Sequence, residues 1–387
     1  MNQIKVGNAQ FIHNLNQAGI FRLIHQYGPI SRKELAENTG YSAATISNHV
    51  RTLIESGYLI ETEKGDSTGG RKPIYLTVNP TKGYIITISI GVREVRQVIF
   101  NLKLKAEAET VFPIGKQLSP GANLAAIITQ TKELLKGQGL TDDQLVGIGI
   151  AVPGLIDKKG FILTLAPNLG WSNLKIGDYF KREFDLPLVL ENEANAAVIG
   201  ERELLYPQVD NMVFVSINEG IGCGIIFNGK LYRGASGNAG EFGHIIIDNQ
   251  GSKCHCGNYG CWETMASENY LINAYHQLTS RQLTANKIYQ LVKQGDAKAL
   301  RVSEALSLNI GIGLVNIING LSPELIIVGG NIIRIKDYLQ KGIKQVLAER
   351  ALAISSQKAK LEFTGLRDMA ALNGLAYLVH NECLAFS

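Results

Sequence analysis

Cysteine, long apolar runs and an excess of one charge are all scarce in this chain, and each scarcity excludes a class of protein. Five cysteines in 387 residues are too few for the disulfide framework of a small secreted scaffold. The opening residues, Met1-Asn2-Gln3-Ile4-Lys5, lack the apolar core of a signal sequence. No stretch reaches the roughly 18 consecutive apolar residues of a membrane span. The expectation is a cytoplasmic protein with no membrane partner. Charged residues make up 19% of the chain and the formal net charge is only +4, so bulk charge announces no partner. The small excess is mostly N-terminal, where residues 1 to 82 hold nine Lys/Arg against six Asp/Glu. Hydrophobic residues are plentiful at 45%, and the length favours two or three domains around large cores.

Three of the five cysteines fall in one short run, Cys254-His255-Cys256-Gly257-Asn258-Tyr259-Gly260-Cys261. Three thiolates and an imidazole suit tetrahedral zinc, and a full protein ligand set leaves no position for water. The expected cofactor is therefore a structural Zn²⁺ held by Cys254, Cys256, Cys261 and one histidine. His255 is flanked by two cysteines that both turn toward the metal, so its own side chain should point away. His244, in Gly240-Glu241-Phe242-Gly243-His244, is the better fourth ligand.

Near the N-terminus, Ser31-Arg32-Lys33-Glu34 has the spacing of a capping box and opens a short helix. Gly40 suits a left-handed turn, and Ser42 caps a second helix running to Ile54 and stopped by Gly57. Ile46, Val50, Leu53 and Ile54 recur at helical spacing. Ser42, Ala43, Ala44, Thr45, Ser47, Asn48 and Arg51 are left facing outward or at the exposed start. Small and hydrogen-bonding side chains at a helix N-terminus suit the DNA major groove. Two alternating segments, Tyr58 to Thr62 and Ile74 to Val78, then flank a polar loop containing Gly69-Gly70-Arg71-Lys72-Pro73. The pattern predicts a winged helix-turn-helix over residues 1–80, with Arg71 and Lys72 on a basic wing that contacts DNA.

Residues 81–387 change character: glycine-rich apolar strands alternate with helices, which predicts an α/β domain. Strands are expected at Tyr84 to Ile90, Val146 to Val152, Val213 to Ile217, Ile225 to Phe227 and Leu325 to Val328. Pro153-Gly154 and Glu191-Asn192-Glu193-Ala194-Asn195 place polar or exposed backbone groups at strand ends, where open sheets bind ligands.

The run Gly220-Ile221-Gly222-Cys223-Gly224-Ile225-Ile226, then Gly240-Glu241-Phe242-Gly243-His244 and the cysteine motif, resembles the ROK family of repressors, open reading frames and kinases. With the N-terminal winged helix the chain is similar to the bacterial xylose-repressor branch of that family. The resemblance implies two actin-like lobes with a sugar in the cleft. It also implies sugar contacts from Asn192, Glu193, Glu241, His244 and Glu263, with Gly154 and Asn168 nearby. His244 would then ligate zinc through one ring nitrogen and meet the sugar with the other.

Kinases of the family carry Asp-x-Gly-x-Thr on the first strand to organise phosphate and magnesium; this chain has Ser89-Ile90-Gly91-Val92-Arg93. Their second phosphate loop resembles Gly-Thr-Gly, against Asn218-Glu219-Gly220 here, and their catalytic Asp is replaced by Glu193. A carboxylate where phosphate would sit is repulsive. The resemblance therefore implies a sugar-responsive repressor with no catalytic residues, acting on operator DNA as a homodimer or homotetramer. The alternatives are an active sugar kinase with a DNA-binding arm, and a DNA-binding protein controlled by a protein partner.

Overall fold

The computed structural model describes residues 9–63, 74–115, 117–353 and 358–384. Its first unit contains α1 (Ala9–Tyr27), β1 (Ile30–Ser31), α2 (Arg32–Thr39), α3 (Ala43–Glu55), β2 (Leu59–Glu63) and β3 (Ile74–Val78). The three strands form one antiparallel sheet in the order β1-β3-β2. The local signals act as expected. Ser31 Oγ accepts from the Glu34 amide while the Glu34 carboxylate accepts from the Ser31 amide, closing the capping box. Gly40 ends α2 at φ +71°, and Ser42 caps α3 through the Thr45 amide. Leu35, Ile46, Val50, Leu53, Leu59 and Leu76 bury a small core with Ile20, Phe21 and Ile24 of α1. The wing tip with Arg71 and Lys72 lies outside the described residues.

Two five-stranded sheets follow, and they share one topology. The first comprises β4 (Tyr84–Ile90), β5 (Glu94–Asn101), β6 (Ala106–Pro113), β7 (Leu145–Val152) and β11 (Leu188–Asn192). Its order is β6-β5-β4-β7-β11, antiparallel on one side of β4 and parallel on the other. Helices α4 (Pro120–Gly137) and α5 (Ile176–Glu183) cover its outer face. Between them β8 (Leu155–Asp157), β9 (Ile162–Ala166) and β10 (Trp171–Leu174) make a small antiparallel sheet.

Helix α6 (Glu193–Leu205) leads into the second lobe, with β12 (Met212–Ile217), β13 (Ile221–Phe227) and β14 (Lys230–Leu231). Past the glycine and cysteine loops come α7 (Glu263–Ala266), α8 (Glu268–Thr279), α9 (Ala285–Lys293), α10 (Ala297–Leu321), β15 (Leu325–Gly329), α11 (Lys336–Arg350), β16 (Lys360–Phe363) and α12 (Ala370–Cys383). The second sheet runs β14-β13-β12-β15-β16, the order of the first. Two copies of this unit facing each other make the two-lobed actin-like fold. Helix α10 is long and apolar enough by composition to cross a membrane, but Val302, Leu306, Ile310, Leu314 and Ile317 are buried in the second lobe's core.

Helices α6 and α12 cross tightly between the sheets. A Cβ on Gly374 would stand 1.8 Å from the Ala196 carbonyl oxygen, and one on Gly200 2.1 Å from the Ala370 carbonyl oxygen. The winged helix rests on the other end of α12. Phe21 stacks on His380 with ring centroids 5.4 Å apart, His25 lies 4.5 Å from the same ring, and Arg22 donates to the Asn381 carbonyl at 2.8 Å. Burial pushes the His380 imidazole down to about 3; an uncharged ring is what an apolar junction accommodates.

Candidate functional site

The cleft between the lobes encloses a cavity of ≈ 260 Å³. Gly154, Asn168, Asn192, Glu193, Glu241, His244 and Glu263 all line it. They reach it from loops and helix starts of both lobes, which explains why they are dispersed along the chain. Gly154 has φ +107°, and a Cβ there would collide with the Leu165 carbonyl oxygen at 2.2 Å. A Cβ on Gly220 would stand 2.6 Å from both the Asn168 amide nitrogen and a Glu263 carboxylate oxygen. Glycine at these two positions lets polar side chains converge on the cavity.

Asn192 works harder for the fold than its sequence position suggests. Its Oδ1 accepts from the Ala194 and Asn195 amides and so caps α6, while Nδ2 donates to the Gly154 carbonyl at 2.9 Å. One N–H of that amide is left to face a ligand. Just before it, Glu191 is buried and binds Arg233 at 2.6 Å and Lys158 at 3.1 Å. Desolvation there opposes ionisation, yet the two cations hold the carboxyl below its ordinary range.

Glu193, in the first turn of α6, behaves oppositely. Desolvation first, then the Glu219 charge, push its carboxyl up to about 7, with Ser216 Oγ at 3.4 Å acting the other way. Unfolded, the group titrates near 4.5. The native state therefore holds the extra proton between about 4.5 and 7, so this group's contribution to stability is full at low pH and is lost as pH rises through that window. Glu193→Gln should stabilise the ligand-free protein at pH 8 by on the order of 2–3 kcal/mol and change little at pH 4.5. Equal effects at both pH values in urea unfolding would refute the assignment.

At the far wall, His244, Cys254, Cys256 and Cys261 bring their ligand atoms within 4.8 Å of one another. Cys256 and Cys261 sulfurs are 3.7 Å apart, and Cys254 Sγ is 3.6 Å from His244 Nδ1. Tetrahedral zinc, with Zn–S about 2.3 Å and Zn–N about 2.0–2.1 Å, puts such edges near 3.8 and 3.5 Å, so the donor set fits. His255 is exposed and outside the group. His244 Nε2 faces the cavity side, 3.7 Å from Glu241. Glu263 touches both regions: its carboxylate accepts from the Ile221 amide and from Cys254 Sγ at 2.9 Å.

Beside these residues a contact that sequence reading missed spans the two lobes. Arg93 Nε meets Glu219 at 2.5 Å and Arg93 Nη2 meets buried Glu268 at 3.2 Å. Arg93 and Glu219 are each visible in the sequence as isolated departures from a phosphate-loop pattern, and Glu268 is not; their pairing needs the fold.

Two actin-like lobes around a polar cleft, with a winged helix-turn-helix at the N-terminus, define a DNA-binding regulator built on a sugar-kinase scaffold. The ROK family model matches residues 85–382, and a winged helix-turn-helix DNA-binding model matches residues 14–60. The chain belongs to the ROK family. It is 32% identical over 378 residues to the xylose repressor of Bacillus subtilis, covering 97% of each chain. A solved ROK family transcriptional regulator, described as a homologue of Escherichia coli MLC protein, superposes with a TM-score of 0.81 at 28% identity, covering 96% of this chain and 97% of the other. A ROK glucokinase from Streptomyces griseus, solved with glucose and AMPPNP, gives 0.68 at 26% identity over 76% of this chain and 99% of its own.

Proposed function

We propose that the protein is a repressor that binds a pseudo-palindromic operator as a dimer and releases it when a free sugar, xylose or a related one, enters the cleft. The observation that carries this reading is the junction of one exposed recognition surface and one polar cavity through α12. Ser42, Ala43, Ala44, Ser47, Asn48 and Arg51 are exposed on α3, with Thr45 partly so, while the opposite face is core. Two copies of α3 about 34 Å apart would enter successive major grooves.

In the cavity, sugar hydroxyls donate to Glu193, Glu241 and Glu263 and accept from Asn168 and the remaining Asn192 N–H. Zinc, when bound to Cys254, Cys256, Cys261 and His244, supplies rigidity to the loop and fixes the ring plane of His244. Closing the lobes on a sugar moves α6, and α12 is packed against it. Because α1 is seated on α12 at His380, that movement reaches the recognition helix. A full switch from 1:99 to 99:1 requires a sugar preference of about 10⁴ between the two states.

Loss of phosphoryl transfer belongs to the same reading. Ser89 offers no carboxylate for magnesium, and an Arg93–Glu219 pair stands where the phosphate loops meet.

Arg51 reaches solvent beside Asn48, to which it donates at 3.2 Å. Arg51→Ala should weaken operator binding by about 1–3 kcal/mol and leave sugar affinity unchanged. The reading is tested by selecting bound fragments from genomic DNA, then following fluorescence anisotropy of one fragment against D-xylose, D-glucose and N-acetylglucosamine. Release by one of them supports it; retention against every sugar tested contradicts it.

A further inference from the structure

The turns carrying Arg93 and Glu219 occupy equivalent places in the two sheets. Arg93 belongs to the β4–β5 hairpin of the first lobe, and Glu219 to the β12–β13 hairpin of the second. The hairpins face each other across the mouth of the cleft. Glu219 itself is set by its neighbours: Asn269 Nδ2 donates to its carbonyl, and Asn218 Oδ1 accepts from the Asn331 amide. Glu268, fully buried at the start of α8, accepts from Tyr289 Oη at 2.8 Å and from Asn331 Nδ2 at 3.4 Å as well as from Arg93. These partners come from the second lobe, so Glu268 and the Glu219 backbone are held independently of Arg93. Arg93, in contrast, is the one first-lobe group in the cluster.

We propose that Arg93 is a cross-lobe latch: its guanidinium, clasped by Glu219 and Glu268, substitutes for a bound nucleotide as the link between the lobes and sets how much sugar closes them. The inference rests on the sugar-responsive reading above and adds its regulation. A sugar kinase can use its nucleotide to join both lobes; a regulator that must answer to sugar alone needs that link built in. The planar fork of arginine serves two carboxylates at once, which lysine's point charge does not. The other ion pairs between the lobes among the described residues, Glu191–Arg233 and Arg96–Asp368, each lie two residues from a helix of the α6–α12 crossing, where the chain itself already connects the lobes. The Arg93 cluster sits away from that connection and constrains opening where the chain does not.

Removing the latch shifts the balance toward the open arrangement, so sugar must do more of the closing. For the full-length, zinc-loaded protein, Arg93→Thr should raise the D-xylose concentration for half-release of operator DNA by about 10-fold, inside the 5- to 150-fold range of typical allosteric coupling. Arg93→Lys keeps the charge without the fork that serves both Glu219 and Glu268, and should return the midpoint part of the way toward wild type. A merely structural role would lower the melting temperature without this rescue.

Ligand-free small-angle scattering supplies the second arm. Arg93→Thr should give a larger radius of gyration than wild type, with Arg93→Lys between the two. An unchanged release midpoint together with superimposable ligand-free curves overturns the latch. If wild type responds to no sugar, the sugar reading fails by itself; the ligand-free curves then decide the latch, with expansion upholding it and identity refuting it.

Discussion

Replacing Cys256 by serine should cost the protein its metal and its sugar response together. Wild type should carry one zinc per chain by atomic emission, and Cys256→Ser should carry none. Cys256 is the exposed member of the four-ligand group, so its own packing contributes little and the effect reads on coordination. The loop between Lys253 and Cys261 has scant support of its own: two isolated bridges, Ile246 with Cys261 and Lys253 with Tyr259, are its only ladder contacts among the described residues. A metal bound here would therefore contribute its folding energy directly. His244 belongs to this group and Glu263 touches it, through contacts to Cys254 at 3.6 and 2.9 Å. Once the loop loosens, two cavity walls loosen with it. Sugar affinity should fall roughly 10- to 100-fold, the usual penalty for disturbing groups that orient a metal ligand. A metal-free variant that still releases DNA at the wild-type sugar concentration would separate the two sites.

Gly374→Val should be among the most damaging single changes in the lobes. Its Cβ would stand 1.8 Å from the Ala196 carbonyl oxygen and 2.9 Å from the Gly200 amide nitrogen. Both are backbone atoms of α6, so no side chain can rotate away. The helices must separate, and α6 carries Asn192 and Glu193 at its N-terminus while α12 carries the seat of the winged helix. Overpacking of this kind costs about 3 kcal/mol or more, roughly a 5 °C fall in melting temperature for a domain of this size. Gly137, by comparison, has open space around its Cβ direction; Gly137→Ala in the exposed end of α4 should leave melting within about 1 kcal/mol of wild type. Similar melting for both variants would mean the crossing is not the close contact described.

The contrast between these two predictions marks what sequence could and could not carry. The cysteine spacing, the Ser31–Glu34 box, Gly40 and the Ser42 cap are local: each depends on residues within one turn or loop, so their geometry is written in neighbouring letters. The strands expected at Tyr84 to Ile90 and Leu325 to Val328 are likewise largely apolar runs, mostly buried on both faces. Convergence of Gly154, Asn168, Asn192, Glu193, Glu241, His244 and Glu263 on one cavity came from family resemblance, since nothing local links β7 to α7. The Arg93–Glu219 pair and the α6–α12 crossing were not read at all. Each joins residues on different sheets or helices, and sequence alone gives the participants without their partners. Asn192 shows a subtler limit: an asparagine before a helix carries a capping signal, which its place in a candidate binding motif obscured.

The most direct test of a sugar-responsive, non-catalytic regulator is thermal unfolding of the zinc-loaded protein with D-xylose, D-glucose or N-acetylglucosamine, each with and without Mg-ATP, with ADP assayed in the same wells. One sugar should raise the midpoint, since a ligand at 100 times its dissociation constant stabilises the native state by about 2.7 kcal/mol. Mg-ATP should add no further shift and no ADP should form. Sugar-dependent ADP production, or a midpoint that no sugar moves, would contradict the account.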